Sequence, residues 1–284
     1  MIYVHRDLTK KIPAEKLARL KALSEELEQI EGKAERKAFI DANSAAWSDV
    51  RDELAAMSFR KCWYTESREA VSRYQTDHFR PHGRVKQAEK EFAEGYCWLA
   101  FDVENFRIIG VLANTLNKEY SEETVGKGIW FPLADPATRA ILANKSIAGE
   151  TPLLLDPTDL DDPQKIEFND NGEAHPAAHL DDDAKAVIDL AIVRMGIRQE
   201  MLNEERRKKW RECSRTIDKY DRFIRKPKGQ RSAEESETID ELAQELITMA
   251  SAESEFSATA RCCLQSRRLS MFIVRDELNP LKLA

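Results

Sequence analysis

The chain has 284 residues, of which 42% are hydrophobic and 33% are charged, a composition typical of one large or two modest water-soluble domains. No stretch approaches roughly 18 consecutive apolar residues, so the sequence predicts no membrane span. The start of the chain lacks the apolar core of a signal peptide, and the five cysteines lack disulfide spacing, so we expect a cytoplasmic protein.

Two helices are predicted before the middle of the chain, after a short strand-like piece at residues 2–4. Pro13 begins the first helix, whose leucines recur every three or four residues, and Gly32 ends it. Apolar residues at helical spacing over residues 39–57 predict the second helix. An antiparallel helical pair therefore leads into the middle region.

Two short pieces of the middle region carry chemistry. Residues 76–81 read Thr-Asp-His-Phe-Arg-Pro, and residues 104–114 begin with Glu-Asn and end with Ala-Asn. Hydrolysis of a phosphodiester needs a base that activates water and a cation that neutralises the anionic transition state. His78 can be the base, and Asp77 and Asn114 supply the hard oxygen donors that Mg²⁺ and Mn²⁺ accept. Neighbouring strand residues point to opposite faces, so Asp77 and His78 can act together only if the strand bends or ends irregularly.

Each of these residues also has a purely structural interpretation. A lone Asp-His pair is more often a surface pair or a strand-end cap than a catalytic site. Asn117 lies three residues after Asn114, on the same helical face, and is its rival as a metal ligand. His82 and Arg84 could contact phosphate or lie in a solvated loop.

The ordered set of motifs resembles the HNH (ββα-metal) endonucleases, and more narrowly the HNH proteins of Septu-type and retron-associated bacterial anti-phage defence systems. Taken together, the matching pieces span about two fifths of the chain and are specific, whereas any single piece is weak. They are residues 61–66, 77–81, 95–102, 104–105, 114, 127–128, 131–133 and 150–157.

The resemblance implies a role for each motif residue. His78 is the general base, and Asp77 and Asn114 hold one divalent cation, Mg²⁺ or Mn²⁺. Asn105 counts with His78 as catalytic, because it braces the loop and orients the histidine. The implied order is a strand over residues 75–79, a connection, a strand over residues 106–109 and a helix that opens near Asn114.

Phosphate contacts and a structural metal are the other features of the resemblance. Arg80, Arg84 and Lys86 are the predicted nucleic-acid-binding residues. Many relatives carry two Cys-x-x-Cys pairs that bind a structural zinc, because four thiolates close a tetrahedral site. The corresponding positions here are Cys62, Thr65, Gly110 and Ala113. One thiolate of four remains, so we expect no structural zinc.

The rest of the chain is predicted to be a loop, an acidic segment with turn signals, and helices. Residues 119–128 are polar and should form a loop. A long helical pattern begins at Asp182 and continues to residue 224, where Lys-Pro-Lys-Gly at residues 226–229 breaks it. Two more helices are predicted around residues 239–249 and 256–272.

Charge is distributed unevenly behind the net value of −7. Residues 151–190 contain eleven acidic and two basic side chains, whereas residues 206–231 contain twelve lysines or arginines and three acidic residues. Because phosphate binding depends on a local basic surface, the second segment could lie along DNA. It could equally form a solvated helix face or pair with the acidic segment.

The predicted architecture is mainly α (α+β), with a ββα-metal HNH nuclease unit at residues 58–172, including its acidic extension, embedded between helical regions at residues 1–57 and 173–284. The expected function is metal-dependent hydrolysis of DNA as the effector of an anti-phage system. Expected partners are DNA and an ATPase or retron-type protein, and a homo-oligomer is allowed. The alternatives are an interaction subunit with a decayed nuclease fold and an RNA-cleaving toxin.

Overall fold

Helices dominate the chain in the computed structural model, which describes residues 1–278. Helix accounts for 47% and strand for 11% of the described residues, so the predicted mainly α (α+β) class is confirmed. Three two-stranded antiparallel sheets are present within the described range. The last six residues of the predicted region 173–284 lie outside it.

The N-terminal region contains one long helix and four short ones: α1 Leu8–Lys11, α2 Ala14–Glu28, α3 Lys33–Ala42, α4 Ala45–Ser48 and α5 Arg51–Ala56. The helix after Pro13 is confirmed, with Leu20, Leu23 and Leu27 buried. The single helix predicted over residues 39–57 is wrong. The amide of Asn43 donates to the carbonyl oxygen of Phe39 at 3.0 Å, a local bond of the kind by which asparagine ends helices.

The central sheet pairs β1, Gln75–His78, with β4, Phe106–Ile109. The register places His78 opposite Phe106 and Asp77 opposite Arg107. Helix α6, Val111–Asn114, follows β4 directly. The predicted helix exists, but Asn114 is its last residue and not its first. It begins earlier because Gly110 is extended and its carbonyl oxygen accepts the first helical hydrogen bonds. The first strand ends at His78, one residue earlier than predicted.

Two hairpins complete the strand content of the described chain. Strands β2, Arg84–Ala88, and β3, Glu91–Glu94, form one within the connection from β1 to β4. Strands β5, Ile166–Phe168, and β6, Ala174–Pro176, form the other in the acidic segment. The strand-like piece at residues 2–4 is not a strand.

The C-terminal region contains four helices within the described range: α7 Asp182–Arg194, α8 Glu200–Ile224, α9 Ala233–Ala250 and α10 Ser257–Ser266. The prediction of one continuous helix from Asp182 is wrong. Gly196 adopts a left-handed conformation with φ +62° and ends α7. The helix around residues 239–249 is confirmed as α9, which begins with a capping box of Ser232 and Glu235. The helix predicted around residues 256–272 is confirmed only as far as Ser266.

The two helical regions pack on the central sheet. Phe106 and Ile108 of β4 share a core with α2 and α5, whereas Ile109 shares a core with α7. Helices α8, α9 and α10 have a core of their own. The buried Lys61 ammonium donates to the carbonyl oxygens of Ala252 and Ser254, in the connection between α9 and α10. Within residues 1–278, no helix combines the length and apolar character that crossing a membrane requires.

Candidate active site

The carboxylate of Asp77 is buried and accepts hydrogen bonds at both oxygens. The Lys127 ammonium donates to Oδ1 at 2.8 Å, and the Tyr64 hydroxyl donates to Oδ2 at 3.1 Å. Lys127 also donates to the carbonyl oxygen of His78 at 2.9 Å. Burial, followed by the charge of Asp77, raises the pKa of Tyr64 well above its usual value, so this hydroxyl remains a neutral donor.

Two glycines explain how Lys127 reaches the strand from a loop. Gly126 and Gly128 both have positive φ, of +112° and +46°. A Cβ on Gly126 would lie 2.3 Å from the carbonyl oxygen of Thr115, so that position has no room for a side chain. The backbone N–H of Lys127 donates to the carbonyl oxygen of Ala113 at 2.8 Å, which fixes the loop on α6.

Asn114 lies on the same side of the sheet as Asp77. Its Nδ2 donates to Oε1 of Gln75 at 2.7 Å, and Gln75 and Asp77 share one face of β1 because they are two residues apart. The Oδ1 atom of Asn114 is buried and has no hydrogen-bond partner. By contrast, the rival Asn117 donates to the carbonyl oxygens of Leu112 and Thr115 and accepts from the Glu119 N–H, so its amide is used within a turn.

The oxygen donors on this face suit a hard cation. An ionised carboxylate oxygen has two lone pairs, so each oxygen of Asp77 can accept more than the one bond that it has. The unpartnered Oδ1 of Asn114 is a second hard donor. In the described part of the chain, no group of three or more histidine, cysteine or acidic side chains could hold a metal. A cation here would therefore depend on these two residues and on water.

The imidazole of His78 projects from the opposite face of β1. Its ring centroid lies 5.1 Å from that of Phe106, its cross-strand partner, 5.0 Å from that of Trp47 in α4 and 4.6 Å from that of His82. The Thr76 hydroxyl donates to the carbonyl oxygen of Trp47 on this same face. The strand does not bend enough to bring the imidazole and the Asp77 carboxylate to one side.

The tautomer and charge of His78 follow from its surroundings. Its Nε2 lies 2.9 Å from the carbonyl oxygen of Ala100, which can only accept, so Nε2 carries the proton and Nδ1 carries the lone pair. Burial, followed by the neighbouring His82, lowers the pKa of His78 to about 3. The imidazole is therefore neutral at physiological pH.

Asn105 connects the chain after β1 to the turn before β4. Its Oδ1 accepts from the Arg80 N–H at 2.8 Å, and its Nδ2 donates to the carbonyl oxygens of Arg80 and Leu99 at 2.9 and 3.3 Å. The next carbonyl, that of Ala100, is the one that receives His78. Asn105 thus braces the loop and contacts the histidine only through the backbone.

The three predicted phosphate contacts differ in availability. The Arg80 guanidinium pairs with the buried Glu150 at 2.9 Å. The Lys86 ammonium pairs with Glu89 at 2.7 Å and lies 4.1 Å from the Trp130 ring centroid. Arg84 is exposed, stacks on Phe92 at 4.1 Å and has no ion pair within residues 1–278. Arg84 is therefore the predicted contact whose charge is free in this structure.

The structure shows two further features of the site, an ion pair at Arg107 that the sequence did not predict and a cluster of backbone contacts around Cys62. Arg107, opposite Asp77, makes a bidentate pair with Asp156, at 2.7 and 2.6 Å. Burial lowers the pKa of Arg107, but Asp156 more than offsets this and the net direction is upward. The Cys62 thiol accepts from the N–H groups of Thr65 and Gly110, so these positions, at which relatives of the HNH type carry zinc-binding cysteines, lie together. Residue types alone did not link Arg107 to an acid 49 positions away.

The fold and site define an α+β protein in which two antiparallel strands and a short helix gather a carboxylate and an amide on one face and a histidine on the other. No protein-family model matches the chain. It is 30% identical over 126 residues to Septu protein PtuB from Bacillus mycoides (strain KBAB4). The match covers 43% of this chain and only 39% of that protein. This weak similarity supports the Septu link that the motifs predicted.

Proposed function

We propose that the protein is a metal-dependent endonuclease of the HNH type that hydrolyses phosphodiester bonds in DNA. The observation that carries the proposal is Asn114, whose buried amide oxygen has no protein partner and lies on the same face of β1 as the Asp77 carboxylate. A native protein rarely leaves such an atom unsatisfied, and a missing ion or water is a common reason. Two hard oxygens on one face favour Mg²⁺ or Mn²⁺.

The residues of the chain divide the work of hydrolysis between them. Asp77 and Asn114 would hold the cation, which supplies positive charge against the anionic transition state. His78 accepts the proton of the attacking water at Nδ1, because Nε2 is committed to Ala100. Since Asp77 and His78 project from opposite faces, a phosphate that engages both lies at the end of β1, beside the loop that Asn105 braces.

The biological setting follows from the Septu similarity. A relative that is a Septu protein favours a role in anti-phage defence. By the HNH resemblance, the chain would be the effector and would act with an ATPase or a retron-type partner in the cytoplasm. A defence nuclease has to stay inactive until infection, so we expect the partner to control cutting.

A second candidate function is an interaction subunit whose nuclease site has decayed. The observation that favours it is the Asp77 carboxylate, because Lys127 already neutralises it and Tyr64 occupies its other oxygen. In such a subunit, the ion pair of Lys127 and Asp77 would stabilise the fold at the position where a nuclease would hold its cation. The remaining Asp77, His78, Asn105 and Asn114 set favours the nuclease.

Nuclease assays separate these functions. The purified chain, alone and with a co-purified ATPase, is incubated with plasmid DNA and separately with RNA, in Mg²⁺, Mn²⁺ or EDTA. We expect DNA cleavage that EDTA, His78→Ala and Asn114→Ala each abolish, whereas Asn117→Ala, the matched amide control, leaves it in place. Mn²⁺ titration by calorimetry should weaken only in Asn114→Ala of the two amide variants. Cleavage of RNA alone would indicate a ribonuclease, and wild type indistinguishable from His78→Ala in every arm would indicate the interaction subunit.

A further inference from the structure

One face of α8 is a continuous line of positive charge. Five lysines and arginines recur on it every three or four residues, Lys226 follows two residues after the helix ends at Ile224, and all six are exposed. At 100° per residue the five residues in the helix fall within an arc of about 80°, and at 1.5 Å per residue they span about 21 Å. We call this surface the basic stripe, and it consists of Lys208, Arg211, Arg215, Lys219, Arg222 and Lys226.

The basic stripe points away from the protein. The opposite face of α8 is buried through Cys213, Ile217 and Tyr220, which pack in one core with α9 and α10. Helix α9 carries six acidic residues. Because α9 packs against the buried face, Glu235 at its start is the acid that reaches the stripe, through Lys226.

The residues at the centre of the basic stripe are not ion-paired, and two of the acids of α8, Asp218 and Asp221, pair with Arg267 instead. Lys208 and Lys226, at its ends, pair with Glu205 and Glu235. The four residues between them make no ion pair with any acid in residues 1–278. The acidic segment does not neutralise them either, since its ion-paired carboxylates bind Arg107, Lys165, Lys185 and Arg198. An ordinary solvated face looks different: on α2 and α3, Arg19, Lys21 and Lys37 are each paired with a carboxylate.

We propose that the basic stripe binds the phosphate backbone of duplex DNA, outside the Asp77 and Asn114 site. The choice of DNA as the polyanion rests on the proposed function. The arc contains no apolar residue, whereas the centre of a protein interface is apolar and depleted of charge. Three of the four unpaired residues are arginines, whose planar guanidinium suits phosphate oxygens. The helical part of the stripe, about 21 Å long, matches about six base pairs at 3.4 Å each.

Binding without cleavage tests the stripe apart from the nuclease. Fluorescence anisotropy with a labelled 20-base-pair duplex is measured in EDTA between 50 and 200 mM KCl, a range over which phosphate contacts are strongly salt-dependent. The stripe variant is Arg211→Gln, Arg215→Gln and Arg222→Gln together. The matched control is Arg19→Gln, Lys21→Gln and Lys37→Gln, which removes the same charge from paired positions on another surface. Circular dichroism checks that both variants are folded.

We expect the stripe variant to bind the duplex at least tenfold more weakly, and the control to bind as wild type does. The slope of log K against log salt should lose about 2.7 in magnitude, since each phosphate contact contributes about 0.9. The assay contains EDTA and measures binding without cleavage, so failure of the nuclease would leave this result intact. Wild-type binding by the stripe variant, an equal loss in the control, no duplex binding by wild type, or equally tight binding of polyglutamate would each overturn the proposal.

Discussion

Lys127 is the counter-charge of Asp77, and its removal gives the sharpest test of the site's electrostatics. The two side chains are 0% and 4% exposed, and their charged atoms are 2.8 Å apart. Lys127→Met leaves the carboxylate buried with Tyr64 as its remaining side-chain donor. Loss of one partner of a buried pair costs about 3–5 kcal/mol, a large part of a total stability of about 5–15 kcal/mol.

A double-mutant cycle measures this coupling. We expect Asp77→Asn with Lys127→Met to lose less stability than the sum of the single variants, by at least about 2 kcal/mol, because no unpaired charge then remains buried. Urea unfolding followed by circular dichroism at pH 7 supplies the free energies. The same cycle on the exposed pair of Lys37 and Asp41 is the control, with coupling of about 0.3–0.5 kcal/mol. Additive losses at Asp77 and Lys127 would refute the pairing.

Three further predictions concern stability. Burial lowers the pKa of His78 from 6.5 to about 3. At a pH between these two values, the unfolded chain therefore binds a proton at His78 and the folded chain does not. The free energy of unfolding should therefore fall by about 1.4 kcal/mol per pH unit below pH 6.5. Urea titrations at pH 7, 6 and 5 should show a steeper loss for wild type than for His78→Gln, and parallel losses would contradict this. Arg107→Lys keeps the charge but loses the bidentate geometry with Asp156, so we expect about 1–3 kcal/mol lower stability in thermal unfolding, and an unchanged melting temperature would argue against it. Gly126→Ala should cost about 1–3 kcal/mol by urea unfolding, since its φ is +112° and a Cβ meets the Thr115 carbonyl, while Gly229→Ala, where a Cβ meets open space, should be near neutral; equal effects would refute the steric argument.

Apolar periodicity predicted helices well and their interruptions poorly. The leucine stripe gave α2, because one apolar face is enough to define an amphipathic helix. The patterns across Asn43 and Gly196 continue in phase on both sides, so they hid a break that depends on one side-chain hydrogen bond and one left-handed glycine. Such breaks are decided by single residues, to which a periodicity over a dozen positions is insensitive.

The site was predictable as far as local chain direction determines it. A side-chain period of two puts Asp77 and His78 on opposite faces of β1 unless the strand bends, and in the structure the two side chains do lie on opposite faces. Lys127, by contrast, lies 50 residues from Asp77, and the sequence around it does not identify the carboxylate with which its ammonium pairs. The flanking glycines, Gly126 and Gly128, do indicate that the backbone at Lys127 has a fixed, unusual conformation, because glycine readily adopts positive φ.

The C-terminal helices connect the site to the basic stripe through the turn between α7 and α8. A Cβ at Gly196 would lie 3.2 Å from Cα of Ala113 in α6, and the Gln199 amide donates to the carbonyl oxygen of Leu112 at 3.3 Å. Gln199 is also the residue at which α8 begins to wind. Because α8 is a single helix of 25 residues, its exposed basic face and the turn that supports α6 belong to one continuous element. Asn114 is the last residue of α6. The basic stripe and the oxygen donors of Asp77 and Asn114 are therefore connected by one helix and one turn, and if the two proposals hold, DNA bound on the stripe lies on the same rigid element that supports α6.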